Sequence, residues 1–407
     1  MAVSKRAQKR IRSLNLWVYK SDVIDISKAR RENETGSIVD VTDEAGRFLA
    51  KAYFNPDSQI TLRILSRLST DVIDDNFIKE RLMAALTRRR RCFDFEKITI
   101  MRLLNSEADF VPGLIVDRYG DFLVLQALSA GAENFVETAV DFYLKELKCK
   151  SIFIKNDAPV RKLEGLALYS SWRGVSVAGP QQILSDGIYY IVDPASGQKT
   201  GFFADQRRAY ALLDGRVNGK FILDCFSYTG AFSMNAFKYG AARAVMVDIS
   251  SEALEMARQT AKLNGVYDKC EFICANAFDY LKNESGKYKA MANIEPPFDF
   301  VALDPPAFAK SKSNVSEALR GYKEIALRAA RLVKNNGYIL SCSCSFHIGL
   351  NDFYNSQCEA FSDANAVGYL QAAGFQDERD HPIISCMPET LYLKYFIFAI
   401  SKQFNII

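Results

Sequence analysis

The stretch G-Y-I-L-S-C-S-C-S-F-H, Gly337 to His347, sets Cys342 and Cys344 one residue apart at the end of an apolar run. If Tyr338 to Ser345 is a strand, its period of two puts both thiols on one face and Ser341, Ser343 and Ser345 on the other. A thiolate can bond to carbon 6 of a pyrimidine and so make carbon 5 nucleophilic enough to take a methyl from a sulfonium. An ordinary thiol, with a pKa near 8.5, is only about 3 % ionised at pH 7, so that role asks for a helix terminus or a basic neighbour. Cysteine is more often a small buried hydrophobe, and that reading stands beside the chemical one. Methylation of a base amine needs no thiol, so the pair discriminates between reactions.

Four strand ends carry the remaining chemistry. F-I-L-D-C-F-S-Y-T-G closes an apolar strand with an acid and then a tight turn, Phe226, Ser227, Tyr228, Thr229 and Gly230, that lacks G-x-G-x-x-G. In open α/β sheets ligands sit at such carboxyl ends, against the N–H groups of the following helix. The next strand, A-V-M-V-D, ends in Asp248, placed to accept from two ribose hydroxyls. A third end brings Asn276, whose amide could meet an adenine edge. These point to an adenosine-containing ligand; a plain strand end with a capping acid is the alternative. The fourth, L-D-P-P-A-F, puts Asp304 at a strand tip before two prolines, which stop the strand and stiffen the loop for substrate positioning.

The elements that must position these residues follow from pattern. From Trp17 to about Ser69, short alternating runs separated by D-E-A-G and N-P-D-S predict a small β module. Asp71 to Phe93 reads as an amphipathic connector helix with Ile78, Leu82, Ala85 and Leu86 on one side. Strand, strand, helix and strand between Ile98 and Ala178 predict a central mixed α/β domain. Beyond Val192, apolar strands alternate with helices near Ala231 to Tyr239, Glu252 to Asn264 and Ala318 to Asn335, the pattern of buried parallel strands with crossovers. The expected division is 1–72, 73–190 and 191–407.

Composition sets the bounds. The 407 residues exceed one ordinary core, and 52 Lys and Arg against 48 Asp and Glu give a net charge of only +4, so a nucleic-acid surface requires uneven placement. Lys5, Arg6, Lys9, Arg10 and Arg12 crowd the start, and Arg88 to Arg91 run uninterrupted; either could equally be a solvated face. Nine cysteines in a chain of this size fit a reducing cytosol better than a disulfide framework. No signal-peptide core or membrane-length apolar run is expected, and two histidines without C-x-x-C argue against zinc.

Together these motifs resemble the RlmI-like family of 23S ribosomal RNA cytosine-5 methyltransferases. The resemblance spans almost the whole chain and rests on G-Q-K-T-G-F-F-A-D-Q-R (197–207), C-F-S-Y-T-G-A-F (225–232), L-D-P-P-A-F (303–308), R-G-Y-K (320–323) and S-C-S (343–345). V-R-K-L-E-G (160–165), P-G-L-I-V-D-R-Y-G-D (112–121), D-H-P and P-E-T-L-Y-L-K support it. It implies an N-terminal PUA domain, a central α/β domain and a C-terminal Rossmann-like, doubly wound domain that uses S-adenosylmethionine. Phe226 to Gly230 would surround the methionine part of the cofactor, with Asp248 on the ribose, Asn276 near adenine, Asp304 beside cofactor and target base, and Cys344 as nucleophile. The chain departs from the family pattern with N-L-W-V-Y for H-P-W-V-F and with Asn276 for an acid. D-P-P-A replaces the D-A-P-C of the wider set of such enzymes, leaving Ala307 where a second cysteine would stand. Water, Asp304 or Cys342 then remains as the base that removes the final proton.

The expected function is cytosine-5 methylation in naked or partly assembled 23S ribosomal RNA, in the cytoplasm, with the target base flipped or unpaired. A homodimer is one option for assembly, and no membrane or metal is expected. The rivals are a base-amine methyltransferase and a non-catalytic RNA-binding assembly factor.

Overall fold

The computed structural model describes residues 1–282, 297–309 and 311–402, which fall into two units: Met1–Asp186 with Val192–Ala204 and Glu378–Thr390, and Gly187–Ile191 with Asp205–Asp377 and Leu391–Ile407. The first unit begins with a four-stranded antiparallel sheet of β1 (Trp17–Val18), β2 (Ile38–Thr42), β3 (Phe48–Phe54) and β4 (Leu62–Ser66), in the order β1-β4-β3-β2. The expected β module is there, with helices added. The basic run is the helix Lys5–Arg12, capped by the Ser4 hydroxyl, and it buries Ala7 and Ile11 while its charges stay outward.

A second sheet follows in the same unit: β5 (Ile100–Asn105), β6 (Leu114–Tyr119), β7 (Phe122–Ala127), β8 (Ser151–Asn156) and β9 (Tyr169–Gly174), in sequential order. Only β7 and β8 pair in parallel, across the helix Val136–Leu147, so the sheet is mixed as expected. The helix Asp75–Cys92 is no mere connector. Ile78, Leu82, Ala85 and Leu86 are fully buried in the core built on this sheet.

The arginine run is likewise not one surface. A helix turns about 100° per residue, so four consecutive side chains point four ways. Arg90 and Arg91 are exposed, whereas Arg89 is fully buried and grips Asp109 with two parallel bonds of 2.6 and 2.7 Å. It also donates to the carbonyls of Arg102 and Asp380. Those bonds show why Glu378–Thr390, beyond residue 190 in sequence, packs with the first unit. Val192–Ala204 does so too: Lys155 donates to the Gly197 carbonyl, and Thr200 bonds Asp117 and Tyr119. Both segments group with the first unit by their contacts.

The chain passes through β10 (Gln181–Ser185) and β11 (Ile188–Val192) into the second unit. Its sheet comprises β12 (Phe221–Cys225), β13 (Arg243–Asp248), β14 (Cys270–Cys274), β15 (Phe298–Leu303), β16 (Val333–Ser343), β17 (Val367–Phe375) and β18 (Lys394–Ser401), ordered β14-β13-β12-β15-β16-β18-β17. The first five strands are parallel and β18 is antiparallel to both its neighbours. Apolar cores cover both faces: Leu223 and Cys225 of β12 belong to one, Ile222 to the other. That is why these strands read as continuous apolar runs. After β14 the order reverses to the other side of β12, which puts a switch point between the carboxyl ends of β12 and β15.

One helix boundary differs from expectation. The helix ends at Leu332 and not near Asn335, because Asn336 takes a left-handed φ of 62° and residues 333–337 join β16 beside a register shift at Phe298 to Phe300.

The arginine run yields a prediction. Removing Asp109 strands a buried guanidinium, so Asp109→Ala should cost about 3–5 kcal/mol, read as a lowered denaturant midpoint, whereas Arg91→Ala should leave the midpoint in place. Equal effects would refute the buried pair as the source.

Candidate active site

At the switch point β12 runs into the turn Phe226–Gly230, which doubles back before the helix Ala231–Lys238. Such reversal requires left-handed backbone: Phe226, Tyr228 and Gly230 have φ of 62°, 48° and 81°. Non-glycine residues in that region store roughly 1–3 kcal/mol each and are retained where surrounding structure holds them. Here the Ser227 N–H donates to the Val247 carbonyl at 3.1 Å and the Tyr228 N–H to the Asp248 carboxylate at 2.8 Å. Gly230 has a second reason to lack a side chain, since a Cβ would stand 2.8 Å from the Met246 sulfur.

Asp248 accepts from the Tyr228 N–H with one oxygen and from the Ser250 N–H with the other, so it ties the first two strand ends together. It stays partly exposed, and each oxygen keeps a lone pair for a further donor. Asn276 is exposed, its side-chain oxygen accepting from the Phe278 N–H at 2.9 Å and its amide nitrogen facing no partner among the described residues.

Asp224, one residue inside β12, is fully buried. One oxygen accepts from the Ser233 N–H and hydroxyl at 3.1 and 2.7 Å; the other has no partner among the described residues. Burial, above all, pushes its carboxyl up to about 7, and Asp248 adds to the rise, against the two Ser233 bonds. The Ser227 and Thr229 hydroxyls are buried and similarly unsatisfied. A buried acceptor and two buried hydroxyls around a strained turn fit a ligand carrying an ammonium and further polar groups, which would supply the missing partners.

Asp304 follows β15 and is partly buried, receiving a 2.8 Å bond from the Gln206 amide. Its neighbours in the D-Q-R string explain that aim. Asp205 accepts from the Tyr392 hydroxyl at 2.7 Å, and Arg207 pairs with the buried Asp377 at 2.8 Å. Gln206 was not singled out from sequence, although the string containing it was.

Both thiols do face one side, toward the core that includes Leu340 and Tyr395, as the period of two requires. They are otherwise unlike. Cys342 is fully buried within β16; burial, and next Asp304, push its thiol well up, which removes it from the bases expected for the final proton. Cys344 lies just past the strand end, half-buried, with its sulfur 3.8 Å from the Pro305 carbonyl. The thiol therefore reaches the Asp304 loop.

Ser345 fastens this junction. Its hydroxyl accepts from the Ala309 N–H at 3.2 Å and bonds the Tyr322 hydroxyl at 3.0 Å. Aromatic rings then run from loop to loop: Phe226 to Phe278 at 6.2 Å, Phe278 to Phe308 at 5.7 Å and Phe308 to Tyr322 at 4.7 Å. Gly321 of R-G-Y-K makes room, since a Cβ there would press within 3.2 Å of the Phe308 ring.

Residues 1–67 match the PUA-like domain family, and residues 170–373 match the S-adenosylmethionine-dependent methyltransferase family. Fold and site thus define an S-adenosylmethionine-dependent methyltransferase. The chain is 35 % identical over 405 residues to Ribosomal RNA large subunit methyltransferase I of Klebsiella pneumoniae (strain 342), with 97 % of each chain covered. It is 34 % identical over 399 residues to the protein of that name from Yersinia pseudotuberculosis (serotype O:1b, strain IP 31758), covering 97 % of this chain and 98 % of the other. It belongs to this methyltransferase family. The fold is also that of a putative methyltransferase from Streptococcus mutans (TM-score 0.79, 20 % identity, 98 % and 99 % coverage) and of a putative methyltransferase complexed with SAH (TM-score 0.81, 20 % identity, the same coverage).

Asp224 makes stability depend on pH. With its folded pKa raised to about 7, the folded state binds the extra proton between about pH 4 and 7, so its stabilising effect is lost as pH rises through that window. Unfolding midpoints of the cofactor-free protein should fall over that range in the wild type and fall less in Asp224→Asn. Parallel profiles would assign the slope to another group.

Proposed function

We propose that this methyltransferase forms 5-methylcytosine in the 23S ribosomal RNA of the large subunit, in the cytoplasm, through a transient bond from Cys344 to the target base. The single observation that carries the reading is the half-buried Cys344 sulfur at the tip of β16, 3.8 Å from the loop that begins with Asp304. The PUA-like match at residues 1–67 and the relatives named for large-subunit ribosomal RNA support the substrate. Lys5, Lys9, Arg10 and Arg12 offer phosphate contacts of the kind that make RNA affinity salt-dependent.

In this reading the turn Phe226–Gly230 with Asp224 holds the amino-acid end of the cofactor, Asp248 the ribose and Asn276 the adenine edge. When bound, S-adenosylmethionine supplies an electrophilic methyl group to carbon 5. Cys344 does the work that makes carbon 5 ready for it. Its sulfur bonds to carbon 6, and the electrons of the 5,6 double bond become available at carbon 5. Asp304, oriented by Gln206, holds the ring. Loss of the carbon 5 proton to a water or to Asp304 then restores the double bond, breaks the sulfur–carbon bond and releases the thiolate. Carbon 6 must lie outside the base stack for any of this, so the base is flipped or unpaired.

Cys344→Ala should lower 5-methylcytosine formation at least about a thousandfold, as loss of a nucleophile does, while calorimetry still shows cofactor binding. Cys342→Ala should turn over and lose only about 1 kcal/mol of stability to the small cavity. Nucleoside mass spectrometry of the methylated RNA is the readout. A methylated base amine as product, or undiminished turnover in Cys344→Ala, would overturn the assignment.

A further inference from the structure

The turn that follows Cys344 is held more firmly than a surface turn needs to be. The Ile348 N–H donates to the Ser345 carbonyl at 3.2 Å, which closes a β-turn with Phe346 and His347 at its corner. Lys394 of β18 stands opposite Ser343 in the register with β16, so its side chain takes the serine face of that strand, and it is buried at 5 % exposure. Its ammonium donates to the carbonyls of Ser345 and Ile348, both at 2.8 Å, and thereby clamps the two ends of the turn. The Ser345 hydroxyl is fixed by the Ala309 N–H and the Tyr322 hydroxyl, and Ile348 is fully buried. Connecting segments are ordinarily the mobile part of a fold. This one is anchored at both ends from beneath.

What the anchored corner displays is an aromatic ring. Phe346 is 47 % exposed, and its ring meets that of His347 edge to face, with centroids 5.3 Å apart and planes at 68°. A single apolar side chain in water is ordinary. Its place is not: the backbone beneath it is fixed by a buried cation, and it stands two residues beyond the nucleophile. Two residues of chain reach at most about 7 Å, so a base bonded to the Cys344 sulfur brings its flanking nucleotide to this ring. A cytosine that leaves its stack uncovers the face of the adjoining base, which is unfavourable. An aromatic side chain restores that contact whatever the base, because every base has a π-face. A ring already held in place does so without the loss of freedom that ordering a mobile loop would bring.

We propose that Phe346 is an RNA-binding residue whose ring stacks on the nucleobase adjoining the target cytosine, replacing the contact which that base loses when the cytosine turns toward Cys344. Lys394 acts through the turn as a positioning residue, and His347 steadies the ring. The inference rests on the cysteine adduct proposed above and adds a requirement on the substrate: a flanking base must be present, and its identity is unimportant.

The test is a thermodynamic cycle between protein and RNA. The substrate is an RNA fragment around the cytosine that mass spectrometry identifies as methylated, made with its natural flanking bases or with an abasic residue on the 5′ or the 3′ side of the target. With the full-length wild type, one of the two abasic fragments should lower kcat/KM about tenfold, the equivalent of 1.4 kcal/mol. Phe346→Ala should lower kcat/KM on the natural fragment by a similar factor and lose nothing more on that abasic fragment. Phe346→Trp should stay near the wild type, whereas Phe346→Leu, apolar but without a π-face, should behave like Phe346→Ala. Calorimetry should give all three variants the wild-type affinity for S-adenosylmethionine. A merely structural phenylalanine would give a loss that adds to the abasic penalty instead of replacing it. The proposal is overturned if neither abasic fragment is impaired, if Phe346→Ala or Phe346→Leu matches the wild type, or if the abasic penalty persists in full in Phe346→Ala. Failure of the adduct reading would appear separately, as 5-methylcytosine still made by Cys344→Ala.

Discussion

The proposed chemistry depends on the junction between the tip of β16 and the loop after β15. Ser345 holds it through one hydroxyl shared between the Ala309 N–H and the Tyr322 hydroxyl, and through a carbonyl that receives Lys394. Without that fastening, Cys344 would sit at a free strand end and Asp304 on a separate loop. With it, the Cys344 sulfur stands 3.8 Å from the carbonyl of Pro305, the residue that follows Asp304. Neighbouring parallel strands end on the same rim, so the topology brings them near, and the hydroxyl sets the last few ångströms.

The same rim explains why the turn after β12 tolerates strain. Left-handed backbone at Phe226 and Tyr228 and an unsatisfied buried carboxyl oxygen at Asp224 are local costs. They are sustained because Val247 and Asp248 of the adjacent strand pin the turn by its N–H groups. The aromatic series from Phe226 to Tyr322 then links the turn after β12 to the helix Val315–Leu332, whose Tyr322 bonds Ser345 at the tip of β16, so that turn and the loop after β15 share one packed layer.

Much of this was legible in the sequence, and for a physical reason. Strands covered on both faces must be apolar throughout, so their polar ends stand out, and Asp248, Asn276 and Asp304 were read from those ends. The period of two likewise gave the common face of the thiols. What escaped notice arrives from far along the chain. Gln206 meets Asp304 across 98 residues and Lys394 meets Ser345 across 49; the strings that contain them stood out, but nothing local shows which distant residue each one reaches. Arg89 escaped because a run of like charges looks uniform in one dimension, whereas a helix separates its members by direction. The attachment of Glu378–Thr390 to the first unit was hidden for the same reason, resting on Arg89 and Asp380 at opposite ends of the sequence.

The central claim is that sulfur from Cys344 becomes covalently attached to a cytosine. Fluorine at carbon 5 cannot leave as a proton does, so an adduct formed on 5-fluorocytidine is trapped after methyl transfer. Incubation of the protein and S-adenosylmethionine with a 23S ribosomal RNA transcript carrying 5-fluorocytidine should give a protein–RNA band that survives denaturing electrophoresis and is missing from Cys344→Ala. An enzyme that methylates the ordinary transcript yet leaves no such band, or a band that persists without Cys344, would contradict the account.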